Sequence, residues 1–110
     1  PVYESWLIGK RDGAPNFAIR YYHLAGHAVS KLEEHPHDHG IVFLHGSGEV
    51  LIGEEAYPVE QGDIAYIPGD TWHQIRNKTD EPMGFFCTIP ARRAKKGKTV
   101  WSEEGLFKEE

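Results

Sequence analysis

Apolar and polar residues alternate along this chain in short bursts cut by glycine, proline and acidic turns. Before residue 90 no stretch sustains the helical apolar period of about 3.6 residues. The pattern predicts an edge strand over 3–9 and a strand over 17–24, rich in aromatic and β-branched residues. A further strand is expected from about Ala28 through a histidine-rich stretch. Residues 41–44 and 49–52 read as the two arms of a hairpin around His45-Gly46-Ser47-Gly48. Then come 57–59, with Pro58 marking an edge, 64–67 between Gln61-Gly62-Asp63 and Pro68-Gly69-Asp70, 73–77, and 84–89, ended by Pro90. Many short strands with turns roughly every eight to twelve residues predict an all-β sandwich or barrel.

Length and composition narrow this further. The 110 residues fit a single domain over 1–110, with a barrel core at about 16–90 and a tail at 91–110 of different composition. Hydrophobic content of 39% and charged content of 26% are globular values. A formal net charge of −5 argues against nucleic-acid or anionic-membrane partners. Apolar runs are too short to cross a bilayer, and no basic-then-apolar leader opens the sequence, so a cytoplasmic protein is expected. The lone Cys87 excludes an intrachain disulfide and a cysteine zinc finger, and reads as a buried structural thiol. In the tail, Arg92, Arg93, Lys95, Lys96 and Lys98 precede the acidic Glu103, Glu104, Glu109 and Glu110, a pattern of solvated surface. Trp101, Leu106 and Phe107 suggest that the tail packs somewhere, and Ser102 is placed to cap a short helix.

The chemistry concentrates in Glu33-Glu34-His35-Pro36-His37-Asp38-His39. Three of seven histidines lie there at every second position, so an extended backbone would turn Glu33, His35, His37 and His39 to one face, provided Pro36 does not rotate them. Imidazoles and a carboxylate converging from one side make a divalent-metal site. The same parity puts Ile41, Phe43 and His45 on the face of His39, and Ile75 and Asn77 on that of His73. His37 and His45 are thereby candidate acid/base residues, and Trp72 a candidate roof. Arg20, Tyr22 and Tyr66 are candidates to position an anionic substrate, while His23 and His27 read as surface or strand-end residues.

At this point the chain resembles the cupin superfamily of small jelly-roll β-barrels over roughly residues 16–90. Gly62, Pro68, His73 and Asn77 have the spacing of its second motif, with Asp70 where glycine is usual. Its first motif matches in spacing at Glu33, His35, His39 and Gly46, but Glu33 replaces a histidine, His39 replaces a glutamate, and Gly26 is one residue early. The segments around Leu7-Ile8-Gly9 and Ala14-Pro15-Asn16-Phe17 are also similar to small metal-binding cupins of bacteria and archaea. The resemblance implies metal ligands Glu33, His35, His39 and His73, with His37 or water as the alternative to Glu33. The metal would be manganese, iron or nickel, with zinc or copper as alternatives. It implies a metal-dependent oxidoreductase of dioxygenase type acting on a small organic substrate. A non-catalytic module binding a sugar or carboxylate, and a metal-dependent isomerase or lyase, are the alternatives. A homodimer using the edge of residues 3–9 is expected.

Overall fold

Two antiparallel sheets enclose the core, and their strand order explains which residues reach it. The structure, a computed structural model, describes residues 1–91 and the backbone of 99–101 and 107–109. The first sheet contains β1 (Val2–Ile8), β2 (Phe17–Leu24), β3 (His39–His45), β6 (Ile64–Ile67) and β8 (Met83–Pro90), in the order β1-β2-β8-β3-β6. The second contains β4 (Ser47–Ile52), β5 (Glu55–Glu60) and β7 (His73–Arg76), in the order β5-β4-β7. Every named pairing is antiparallel. Inward positions at every second residue supply the core, including Ala18, Leu24, Ile41, Phe43, Val50, Ile75, Phe85 and Ile89. This is the expected all-β jelly roll, and strand 64–67 falls where the pattern puts it.

Two local expectations need correction, and a third lies mostly outside the described residues. β3 and β4 are not two arms of one hairpin: β3 pairs with β6 and β8, whereas β4 pairs with β5 and β7. The chain changes sheets at Gly46, whose φ of 79° favours glycine and whose backbone lies hard against Pro82 and Met83. Residues 28–38 do not form a continuous strand. They run beside β7 through isolated bridges, Val29 to Arg76 and Glu33 to His73. Finally, the helix expected from Ser102 falls largely outside the described residues, as does the basic run. At its far end, β10 (Phe107–Glu109) is a strand paired with β9 (Thr99–Trp101).

Asn77 ties the barrel end together. It is 2% exposed, and its amide donates to the carbonyls of Leu24, Ala25 and Glu81 while its Oδ1 accepts from the Thr79 N–H and hydroxyl. Asp70 occupies a φ of 56°, a left-handed conformation, which accounts for a position where glycine is the usual residue.

Candidate metal centre

Backbone hydrogen bonds fasten the histidine-rich segment to β7. Glu33 N–H donates to the His73 carbonyl at 3.0 Å, and His73 N–H returns to the Glu33 carbonyl at 2.9 Å. Ser30 adds a second clamp: its N–H donates to the Ile75 carbonyl at 2.8 Å and its hydroxyl accepts the Ile75 N–H at 2.9 Å. His39 opens β3 across the barrel, so side chains from a loop and two sheets meet at one point.

Four imidazoles crowd there. His35 stacks on His37 with centroids 4.5 Å apart, and His39 lies 4.8 Å from both His37 and His73. His35 is also 5.1 Å from His73. His37, His39 and His73 are buried. Two overlapping trios have ligand atoms within 4.8 Å of one another: His35, His37 and His39, and Glu33, His35 and His73. The Glu33 Oε1 to His35 Nε2 distance is 3.0 Å. Two adjacent ligands at right angles, each about 2.1 Å from one ion, would stand about 3 Å apart.

The donor chemistry fits a divalent ion. His73 Nδ1–H donates to the Thr71 carbonyl at 2.9 Å, which leaves its Nε2 lone pair available. His39 Nδ1 lies 3.1 Å from Cys87 Sγ, while its Nε2 is buried and, among the described residues, has no hydrogen-bond partner. A buried nitrogen left so costs about 1–3 kcal/mol unless something binds it. Burial first, then the neighbouring His37 and His73, pushes the His39 pKa down to about 2. Burial also lowers that of His73. Both rings are therefore neutral, the form that ligates metal. The hydrogen bond with His35 holds the Glu33 carboxyl below its ordinary range, in the ionised form.

The cluster opens on a cavity of about 350 Å3, whose lining includes Glu4, Arg20, Tyr22, Ile41, Phe85 and Cys87 beside Glu33, His39 and His73. Arg20 is 4% exposed, and its guanidinium bonds Glu4 Oε2 at 3.2 Å and Cys87 Sγ at 3.5 Å. It lies over the rings of Trp6 and Tyr22. Tyr22 donates to the same Glu4 oxygen at 2.6 Å. Burial works against the Arg20 charge, yet Tyr22, Cys87 and Glu4 hold its pKa above the ordinary value. Burial pushes the Cys87 thiol up. The cysteine is buried as expected, but it also touches a candidate ligand, which its flanking residues gave no means of seeing.

Other candidates lie elsewhere. His45 is on the outer face of the first sheet, where its Nε2 lies 2.8 Å from the Tyr21 hydroxyl. The reason is a bulge: pairing passes from Phe43 opposite Phe85 directly to His45 opposite Gly84, and the extra residue reverses the parity carried from His39. Tyr66 is 62% exposed and donates to Asp38, and Trp72 is 51% exposed; neither lines the cavity. His27 is exposed beside Asp80, and His23 lies among Tyr3, Tyr21 and His45.

Comparison with known proteins agrees with this architecture. The family model described as a cupin domain matches residues 20–89. The chain belongs to the cupin family. This cupin is 39% identical over 77 residues to the 1-methylthio-D-xylulose 5-phosphate methylsulfurylase of Rhodospirillum rubrum, covering 70% of the chain and 49% of that protein. The chain thus spans about half the length of that curated relative. A crystal structure of a cupin-2 domain from R. rubrum superposes with a TM-score of 0.77 at 35% identity, covering 84% of this chain and 61% of the other. A cupin 2 domain-containing protein from Halorhodospira halophila gives 0.80 at 30% identity, covering 84% and 66%. Among the described residues, no helix is long and apolar enough to cross a membrane.

Proposed function

We propose that this cupin is a divalent-metal-dependent enzyme acting on a small organic substrate held in the 350 Å3 cavity. The observation that carries the reading is the opening of the imidazole cluster, through the buried His39 and His73, onto a cavity of small-molecule size. Glu33, His35, His39 and His73 are the proposed ligands, joining the Glu33, His35 and His73 trio with His39 of the other, and manganese, iron or nickel is favoured by a mixed nitrogen and oxygen set without thiolate. His37, stacked on His35, is the proposed proton carrier beside them. Held by these residues, a divalent ion would supply Lewis-acid polarisation of a substrate oxygen. The chain's own groups do the rest. Ile41, Ile75 and Phe85 exclude water along one wall, and Glu4, Arg20 and Tyr22 furnish the polar end.

Chemistry on a hydroxycarbonyl compound without dioxygen is the preferred reaction class, its substrate type supported by a 39% identical relative whose name contains a ketose phosphate. A dioxygenase-type reaction is the second reading, favoured by the apolar wall beside the imidazoles. The two separate in one experiment: metal-loaded protein incubated with hydroxyketones in heavy water, with dissolved oxygen followed throughout. Deuterium entering the carbon next to the carbonyl without oxygen loss supports the first, stoichiometric oxygen loss supports the second, and neither refutes the enzyme reading. A homodimer through β1, an outer strand of its sheet, belongs to the same proposal, and sedimentation would report it.

A further inference from the structure

The end of the cavity reached from His39 through Cys87 and Arg20 is built around Glu4. Its strand, β1, alternates so that Val2 and Glu4 line the cavity and Trp6 lies against Arg20. One carboxylate oxygen is fully used: Oε2 takes both the Tyr22 hydroxyl and an Arg20 N–H. Oε1, among the described residues, accepts no hydrogen bond, and the side chain keeps 18% exposure. The arrangement therefore offers a fixed carboxylate oxygen with lone pairs to spare, held by two donors that prevent it from swinging away.

The charge balance decides what that oxygen can receive. Arg20 is the cation buried at this end, and among the described residues Glu4 forms an ion pair with it. A guanidinium so matched has little field left for an anion, and a second carboxylate or phosphate beside Oε1 would meet like charge in a poorly solvated site. A hydroxyl, by contrast, donates to Oε1 at no electrostatic cost. The expectation that Arg20 and Tyr22 position an anionic group is therefore reversed for this end of the cavity. An anionic portion of a ligand is left to Lys31, the exposed cation in the lining.

We infer that Glu4 is a specificity-determining residue: its Oε1 selects a hydroxyl group of the substrate, and its pairing with Arg20 excludes an anion from the same position. This rests on the proposed function only in taking the cavity as the substrate site. It assigns the substrate class there as a polyhydroxylated carbonyl compound.

The test uses manganese-loaded protein and two five-carbon probes, D-xylulose and glutarate, with binding followed by calorimetry and manganese measured on the same samples. Wild type is expected to bind D-xylulose at least about tenfold more tightly than glutarate, the effect of one hydrogen bond to a charged group. Glu4→Gln should weaken D-xylulose binding by about tenfold or more, because the charged acceptor is lost, and strengthen glutarate binding, because the like charge that opposes it is gone. Tyr22→Phe leaves the ion pair intact, so it should keep the wild-type order, and with wild type it decides the matter should Glu4→Gln not fold. Equal binding of both probes, binding of neither, or an unchanged order in folded Glu4→Gln would overturn the inference. Wild type with full manganese and no discrimination would sink this inference alone, whereas wild type that takes up no manganese would sink the proposed function.

Discussion

Buried neutral histidines make the metal-free protein acid-sensitive in a calculable way. His39 is 6% exposed and its pKa is pushed down to about 2, whereas in the unfolded chain it titrates near 6.5. A folded-state pKa below the unfolded value gives stability that is complete above about pH 6.5 and lost as pH falls, because only the unfolded chain takes up the proton. Between about pH 7.5 and pH 5 the term is RT times the logarithm of the ratio of unfolded-state binding polynomials, about 2 kcal/mol for one such histidine. Any folded pKa below about 4 gives the same figure over that window, so the result does not hang on the depth of the shift. His73 shifts in the same direction and adds to it. Against a total stability of about 5–15 kcal/mol this is a large fraction. The assay is urea unfolding of chelator-treated protein at both pH values, beside His39→Asn, which carries no titrating group at that position. Wild type should lose about 2 kcal/mol more than the variant on acidification. Equal losses would show that His39 is not held neutral by burial, and the account of the cluster would fail.

Other consequences follow from single contacts. Asn77→Ala removes donors to three carbonyls and an acceptor for Thr79, and should cost about 2–4 kcal/mol in urea unfolding with no change in metal stoichiometry. Cys87→Ala removes the contact at His39 Nδ1 and should weaken metal affinity by about 10–100-fold, read by competition with a chelating dye. His45→Ala, on the far face of the sheet, should leave metal affinity and any turnover at wild-type levels; loss of either would return His45 to the site.

The fold was legible because alternation, turn residues and Gly62, Pro68, His73 and Asn77 all constrain the same barrel. The histidine-rich stretch was legible because its residue types are scarce and their spacing is short. What failed was parity carried across irregular backbone. One bulge at Leu44-His45 moved His45 outside, and a change of sheet at Gly46 undid the expected hairpin. Sequence spacing says nothing of which sheet a strand joins. Glu4 was not singled out because an isolated glutamate in an edge strand carries no local signal. Its importance arises from Arg20 and Tyr22, sixteen and eighteen residues away, on the strand that pairs with it.

Elemental analysis of protein prepared without chelators or an affinity tag tests the central claim most directly. After offering manganese, iron, nickel, zinc and copper in turn, the wild-type chain should retain about one ion, and His73→Ala should retain none, since His73 belongs to the proposed ligand set of a single ion. A wild-type chain that holds no divalent ion under any of these conditions would contradict the account, and the imidazole cluster would then need another purpose.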